Sequence, residues 1–387
     1  MPRLASRIAR ISPFYAMEVV KQAAQLQAAG RDIIHMSIGE PDFTAIPAVV
    51  EALDAAARSG RSQYTEALGI PALREAIAGF YATRFGARVD PSRVIVTAGA
   101  SGALMLACAA VVEPGQDVLM PDPTYPANRH IVTAAGGTPR LIPSGPADRF
   151  QLSADHVRQH WTPSTAGVIV ASPSNPTGTS VAPDVLAEIA AEVRARDGFT
   201  LVDEIYLGLS YDGDRRSAAV LGDDVILVNS FSKYFHMTGW RLGWLVVPPD
   251  LVPAFEKLAQ NVVICPSALS QHAALACFTP ESLDIFETRR GAFQKRRDFL
   301  LPAFERLGLS VPVRPDGAFY IYSDVSAHAS NSFDFATRLL NEAGVCAVPG
   351  LDFGDADAHR YLRFSYATEL SRLEEAMARI GDFLGKA

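Results

Sequence analysis

The stretch VILVNSFSKYFHMTGWRLG, residues 225–243, decides how this chain is read. Residues 225–228 are a short apolar run that reads as a buried strand, and the run stops at Asn229, Ser230 and Ser232, which surround Lys233. Arg241 follows eight positions later, beside two glycines. A strand ending in hydroxyls and cations predicts an anion site, because open α/β sheets bind ligands beyond the carboxyl ends of their strands. A lysine amine becomes a Schiff-base former when desolvation and a neighbouring cation lower its pKa, and Arg241 is the expected cation. An isolated loop lysine is ordinarily a solvated surface charge, so the rest of the chain must support the assignment.

Working outward, candidate strands at 94–97, 117–120, 138–142, 167–171, 200–202, 225–228 and 244–247 alternate with helices at 101–112, 126–135 and 183–194. That rhythm is the signature of βαβ units and predicts an α/β fold whose large domain holds one mostly parallel seven-stranded sheet. Towards the amino end lie an arm, a helix over 16–29 stopped by Gly30, and a strand-like segment at 33–38 broken by Gly39 and Pro41. Two proline-initiated helices follow, over 47–58 and from Pro71. Beyond Pro248 the pattern turns helical, with a long amphipathic helix over about 280–306. The strings GAFYIYS, GVCAVPG and YLRFSYA then read as short strands around a helix at 333–343. The expected division is an arm (1–14), a small α+β domain from both chain ends (15–47 and 284–387) and a large domain (48–283).

At 387 residues, 49% apolar and 20% charged, the chain can bury a sizeable core. The net charge of −7 and the lack of a Lys/Arg tract exclude a general nucleic-acid binder. Cys108, Cys265, Cys277 and Cys346 form no C-x-x-C pair, so neither a zinc site nor a disulfide framework is expected, and no metal is assigned. The amino-terminal MPRLASRIARIS lacks a secretory apolar core. The longest apolar run, 103–112, is half of the ~20 residues that a membrane-spanning helix needs. A cytoplasmic protein without membrane or nucleic-acid partners is expected.

Five features fall at strand ends or helix starts. TAGASGAL leads from a strand into a helix, whose free amides can cradle a phosphate. DPTYP presents Tyr125 where an aromatic ring can stack on a planar ligand, although core packing is commoner for such a tyrosine. SPSNPTG presents the Asn175 amide on a proline-rich loop, which also serves as a plain turn. LVDEIY puts Asp203 at a buried strand end, costly without a positive partner such as a protonated ring nitrogen. The fifth is the lysine stretch. Gly39 in IGEPDF allows close backbone approach, as a ligand border or an ordinary turn.

Together EPDF, SPSNPTG, VDEIY, SFSK and GWRLGW, in this order from Gly39 to Arg363, closely resemble the class I/II aminotransferases, the aspartate-aminotransferase-like fold type I enzymes that use pyridoxal 5′-phosphate. The resemblance implies that Lys233 forms the internal aldimine with the cofactor and carries the proton afterwards, passing through a pyridoxamine form. Asp203 pairs with the pyridinium nitrogen, Asn175 and Tyr206 bond the phenolic oxygen, and Tyr125 stacks on the ring. Ala100, Ser101, Ser230 and Arg241 hold the phosphate, and Tyr64 reaches the cofactor of a partner subunit, which implies a homodimer with shared sites. Arg363 clamps the substrate carboxylate and Gly39 lines the pocket, with an L-amino acid and a 2-oxo acid as substrates.

Departures from the family pattern are Ala100-Ser101, where many relatives carry a second glycine or a longer polar side chain, and TAIP after EPDF. No basic residue declares itself as the partner of a second substrate carboxylate. Phe14, Tyr15 and Ile38 hint at an apolar mouth but are core residues at ordinary frequencies. Three other readings are weighed. Ser230 to Lys233 satisfies the S-x-x-K of serine acylases, yet S-D-N and K-T-G do not occur. A cofactor-sensing regulator would need a DNA-binding module. A β-eliminating C–S lyase of the same fold shares all these site residues, and the motif set favours amino transfer.

Overall fold

The computed structural model describes residues 3–13, 15–212 and 215–385, without the side chains of residues 15 and 16. Its strands are β1 (Ile34–His35), β2 (Val94–Thr97), β3 (Asp117–Asp122), β4 (Thr138–Pro143), β5 (Thr165–Ala171), β6 (Phe199–Asp203), β7 (Val225–Ser230), β8 (Gly243–Val246), β9 (Tyr320–Asp324), β10 (Val345–Cys346), β11 (Val348–Pro349) and β12 (Tyr361–Ser365). The seven expected strands form one sheet in the order β2-β8-β7-β6-β5-β3-β4. Its ladders are parallel except where β8 runs against β2 and β7. Hence β2, β3, β5, β6 and β7 all end at the same edge.

Apolar residues bury both faces of this sheet. On one side Val96, Leu119, Val168, Val170, Val202, Leu227 and Trp244 join the largest core cluster. On the other, Ile95, Val118, Ile169, Leu201, Ile226 and Leu245 pack with Leu104, Ala107 and Cys108 of the helix Gly99–Val111. Alternate residues of each strand thus serve opposite layers, the arrangement expected for a sheet covered twice.

The helices Pro47–Arg58, Pro126–Ala135, Pro183–Arg194 and Pro280–Arg306 occupy their expected spans, each with proline in the first turn. Three segments differ from expectation. The helix after β2 begins at Gly99, two residues early, because Gly99 takes a positive φ of 74° that lets the chain turn directly from the strand. The strand at 33–38 shrinks to β1, which pairs with β10 over Ile34↔Val345 and His35↔Cys346 before Gly39 and Pro41 divert it. The helix at 333–343 becomes Ser332–Arg338 followed by a π turn, Leu339–Ala343, that ends on Gly344.

The parallel β1–β10 pair joins the two chain ends, beside the antiparallel sheet β11-β12-β9. Among the described residues no helix is long and apolar enough to cross a membrane.

Candidate active site

Strand register brings the chemistry together. Ala171 pairs with Asp203 and Asp203 with Val228, so the ends of β5, β6 and β7 lie side by side and deliver Asn175, Asp203, Ser230 and Lys233 to one edge. The turn after β2 adds Ala100 and Ser101, and the loop after β3 adds Tyr125. These residues, with Tyr206, Arg241, Gly39 and Arg363, line one cavity of about 430 Å³. Eleven of the twelve expected site residues therefore meet there, although they span the chain from Gly39 to Arg363. Tyr64 does not; its side chain points into solvent, 81% exposed.

Lys233 is partly buried, and its Nζ donates to the Gly39 carbonyl at 2.7 Å. Its pKa is lowered to about 8, chiefly by burial; Arg363 and then Arg241 lower it further, while Glu40 and Asp203 act in the opposite sense. Arg241 therefore acts in the expected sense, alongside desolvation, which leads, and Arg363, which ranks ahead of it. A Cβ on Gly39 would meet the Tyr320 hydroxyl at 2.8 Å, which is why the chain carries glycine where it passes the lysine.

Asp203 is 2% exposed, accepts one backbone hydrogen bond from Ile205 N at 3.1 Å, and forms no ion pair among the described residues. Burial raises its pKa to about 6. The adjacent Glu204 accepts from Ser217 Oγ at 2.8 Å and from the Ala218 amide at 2.6 Å, so the two carboxylates of VDEIY have separate surroundings.

Arg363 is likewise buried and without an ion pair among the described residues. Its Nη1 donates to Asn175 Oδ1 at 2.8 Å and its Nη2 to the Ser37 carbonyl at 2.6 Å, while its Nε has no partner. The guanidinium lies over the rings of Tyr320 and Phe353, at 4.5 and 4.8 Å from their centroids. Two aromatic faces and two neutral acceptors orient this cation without neutralising it. Arg241 is held in a left-handed conformation with Nη1 donating to the Thr238 carbonyl at 2.9 Å, and a Cβ on Gly99 would meet its Nη2 at 2.5 Å.

Ser230 Oγ accepts from the Ser232 amide at 3.0 Å, and the Lys233 amine turns to Gly39. No serine–lysine pair is formed, contrary to what the S-x-x-K reading requires. Sequence reasoning missed Tyr320, whose hydroxyl lies 2.8 Å from that of Tyr206, and it missed Ser37, Asp352 and Phe353 in the cavity wall. Tyr320 and Phe353 look like ordinary core aromatics in the sequence, and only the fold turns them inward. Ile38, read as part of an apolar mouth or as a core residue, lines the cavity at 38% exposure, while Phe14 and the Tyr15 side chain lie outside the described residues.

A family model for aminotransferase class I and II matches residues 31–380. The chain belongs to this aminotransferase family. It is 41% identical to the valine–pyruvate aminotransferase of Mycobacterium tuberculosis over 378 residues, 97% of each chain. It is 35% identical to the aspartate/prephenate aminotransferase of Thermus thermophilus over 390 residues, covering 100% of both. Among solved structures, an aminotransferase from Mycobacterium tuberculosis superposes with a TM-score of 0.96 at 41% identity, covering 100% of both chains. The Thermus thermophilus aspartate aminotransferase with maleate gives 0.93 at 34% identity, covering 99% of this chain and 100% of that one. The protein is thus an aminotransferase of a family that is generally pyridoxal-phosphate-dependent, acts on amino and oxo acids and is typically dimeric. The enzyme's relatives are named for amino transfer, which favours that reaction over elimination.

Proposed function

We propose that this enzyme holds pyridoxal 5′-phosphate in the cavity and moves an amino group from an L-amino acid to a 2-oxo acid. The observation that carries the reading is the presence in one cavity of two buried, unpaired charges, Asp203 and Arg363, with a lysine of lowered pKa.

The residues fit the cofactor. Asp203 forms no ion pair among the described residues, and a protonated pyridine nitrogen would supply one. The start of the helix Gly99–Val111, with the amides of Ala100 and Ser101, the Ser230 hydroxyl and Arg241, would hold a phosphate on the helix's positive end. Tyr125 would stack on the ring. Because Asn175 Oδ1 already accepts from Arg363, its Nδ2 is left to donate to the phenolic oxygen beside the Tyr206 hydroxyl.

When bound, pyridoxal phosphate supplies an aldehyde that bonds amines reversibly and a ring that withdraws electrons from the substrate α-carbon. Lys233 would anchor that aldehyde through its neutral Nζ, and the same amine would be placed to take a proton from the substrate α-carbon and to give one back within the site. Asp203 would hold a proton on the ring nitrogen of the bound cofactor. Arg363 binds the substrate carboxylate with Nε and its remaining N–H groups, and Gly39 borders the same pocket.

A homodimer is part of the proposal. Gln271 Nε2 donates to Thr65 Oγ1 at 3.0 Å and to the Pro266 carbonyl at 3.2 Å, tying the loop of exposed Tyr64 to the loop after exposed Val262, Val263 and Ile264. Such an apolar patch beside an outward tyrosine suits a second copy, with Tyr64 reaching the phosphate end of the partner subunit's site. Residues 15–47 with 284–387 would act as the small domain that closes over substrate against 48–283, excluding water. The free cysteines suit a cytoplasmic location.

The test is borohydride reduction of the cofactor-loaded enzyme followed by peptide mapping. Label on the Lys233 peptide supports the reading; label elsewhere, or none, overturns it.

A further inference from the structure

The names of the relatives divide over the amino donor, valine in one case and aspartate in another. Resting on the aminotransferase reading above, we infer that the donor is an amino acid with an uncharged, apolar side chain, received against Met17, Val20 and Ile38. The cavity holds three cations, Lys233, Arg241 and Arg363, and each is committed: the first to the cofactor aldehyde, the second to the phosphate, the third to the α-carboxylate. Among the described residues no further cation lines the wall, so this chain offers a second substrate carboxylate no charged partner.

The wall instead carries apolar side chains from the amino-terminal part of the chain. Met17 and Val20 lie three positions apart on the helix Tyr15–Ala28, and so share one face. Ile38 joins them from the segment that leads to Gly39. Met17 is 64% and Ile38 38% exposed, large apolar surfaces left open beside the reacting centre. A hydrophobic substrate side chain covers that surface; a charged one leaves it wet and loses its own hydration. Lys21, next along the helix, is exposed and outside the cavity lining.

The test mixes the cofactor-loaded enzyme with single amino acids, without oxo acid, and follows loss of the visible band. Leucine and valine are expected to react with kcat/KM about a hundredfold above aspartate and glutamate, the range that pocket contacts give. Aspartate matching or exceeding leucine would overturn the inference and leave the aminotransferase reading standing. If no amino acid bleaches the band, both fail. Because Met17 is exposed, Met17→Arg is expected to fold and to cut the leucine-to-aspartate ratio about tenfold. An unchanged ratio removes Met17 from the specificity wall.

Discussion

Arg363 donates from Nη1 to Asn175 Oδ1 at 2.8 Å, linking a strand near the carboxyl end to a loop 188 positions earlier. The contact leaves Arg363 a buried cation whose nearest partners are neutral, and it fixes which end of the Asn175 amide faces the cavity. Arg363→Ala is expected to raise KM for the amino donor about a hundredfold through loss of charge-assisted hydrogen bonds. The protein should stay yellow, because the cofactor anchors elsewhere. Titration of the half-reaction checks this, and a colourless variant would show that Arg363 has another role.

Lys233→Ala should abolish borohydride labelling and lower kcat by on the order of a thousandfold, the range for loss of a proton-transferring group. Peptide mass spectrometry and steady-state rates give the two readouts. Retained turnover would remove Lys233 from the reaction.

The lowered pKa of Lys233, about 8, makes a pH prediction for the cofactor-free enzyme. Only the neutral amine attacks an aldehyde, and its fraction grows as pH rises through that value. Reconstitution with pyridoxal phosphate should therefore quicken roughly tenfold between pH 7 and 9 and level off above. Arg363 disfavours the protonated amine, so in Arg363→Ala the profile should move to higher pH. A rate independent of pH over this range would contradict the assignment.

The Tyr206 and Tyr320 hydroxyls lie 2.8 Å apart in a buried setting, so each restrains the other. Tyr320→Phe should reduce kcat several-fold while costing about 1 kcal/mol of stability. In a double-mutant cycle with Tyr206→Phe, the effects on kcat should be less than additive, because Tyr320 acts through Tyr206. Additive losses would make Tyr320 an independent contributor.

Val263 is exposed beside the loop proposed to meet a second copy. Val263→Asp should convert a dimer to a monomer in sedimentation velocity, since it places a charge in an apolar contact. Activity should fall with it, because Tyr64 is proposed to complete the partner subunit's site. A dimer that survives the substitution would place the interface elsewhere.

The sequence alone determined the seven-stranded sheet, because residues 94–247 alternate short apolar runs with helices, a pattern set by local burial and backbone chemistry. It also named Lys233, Asp203 and Arg363, since charged groups at strand ends stand out against apolar runs. Tertiary structure decided what those charges mean. Asp203 and Arg363 line one cavity yet form no ion pair among the described residues, and no local pattern reports whether a distant group comes within pairing distance. The sequence named desolvation and Arg241 as causes of the Lys233 shift but not Arg363 or their ranking, because both depend on everything packed around the amine. Tyr320, Phe353 and Met17 were equally silent, because an aromatic or a methionine facing a cavity is spelled the same way as one facing the core. Periodicity is a property of neighbours along the chain; a site is a property of neighbours in space.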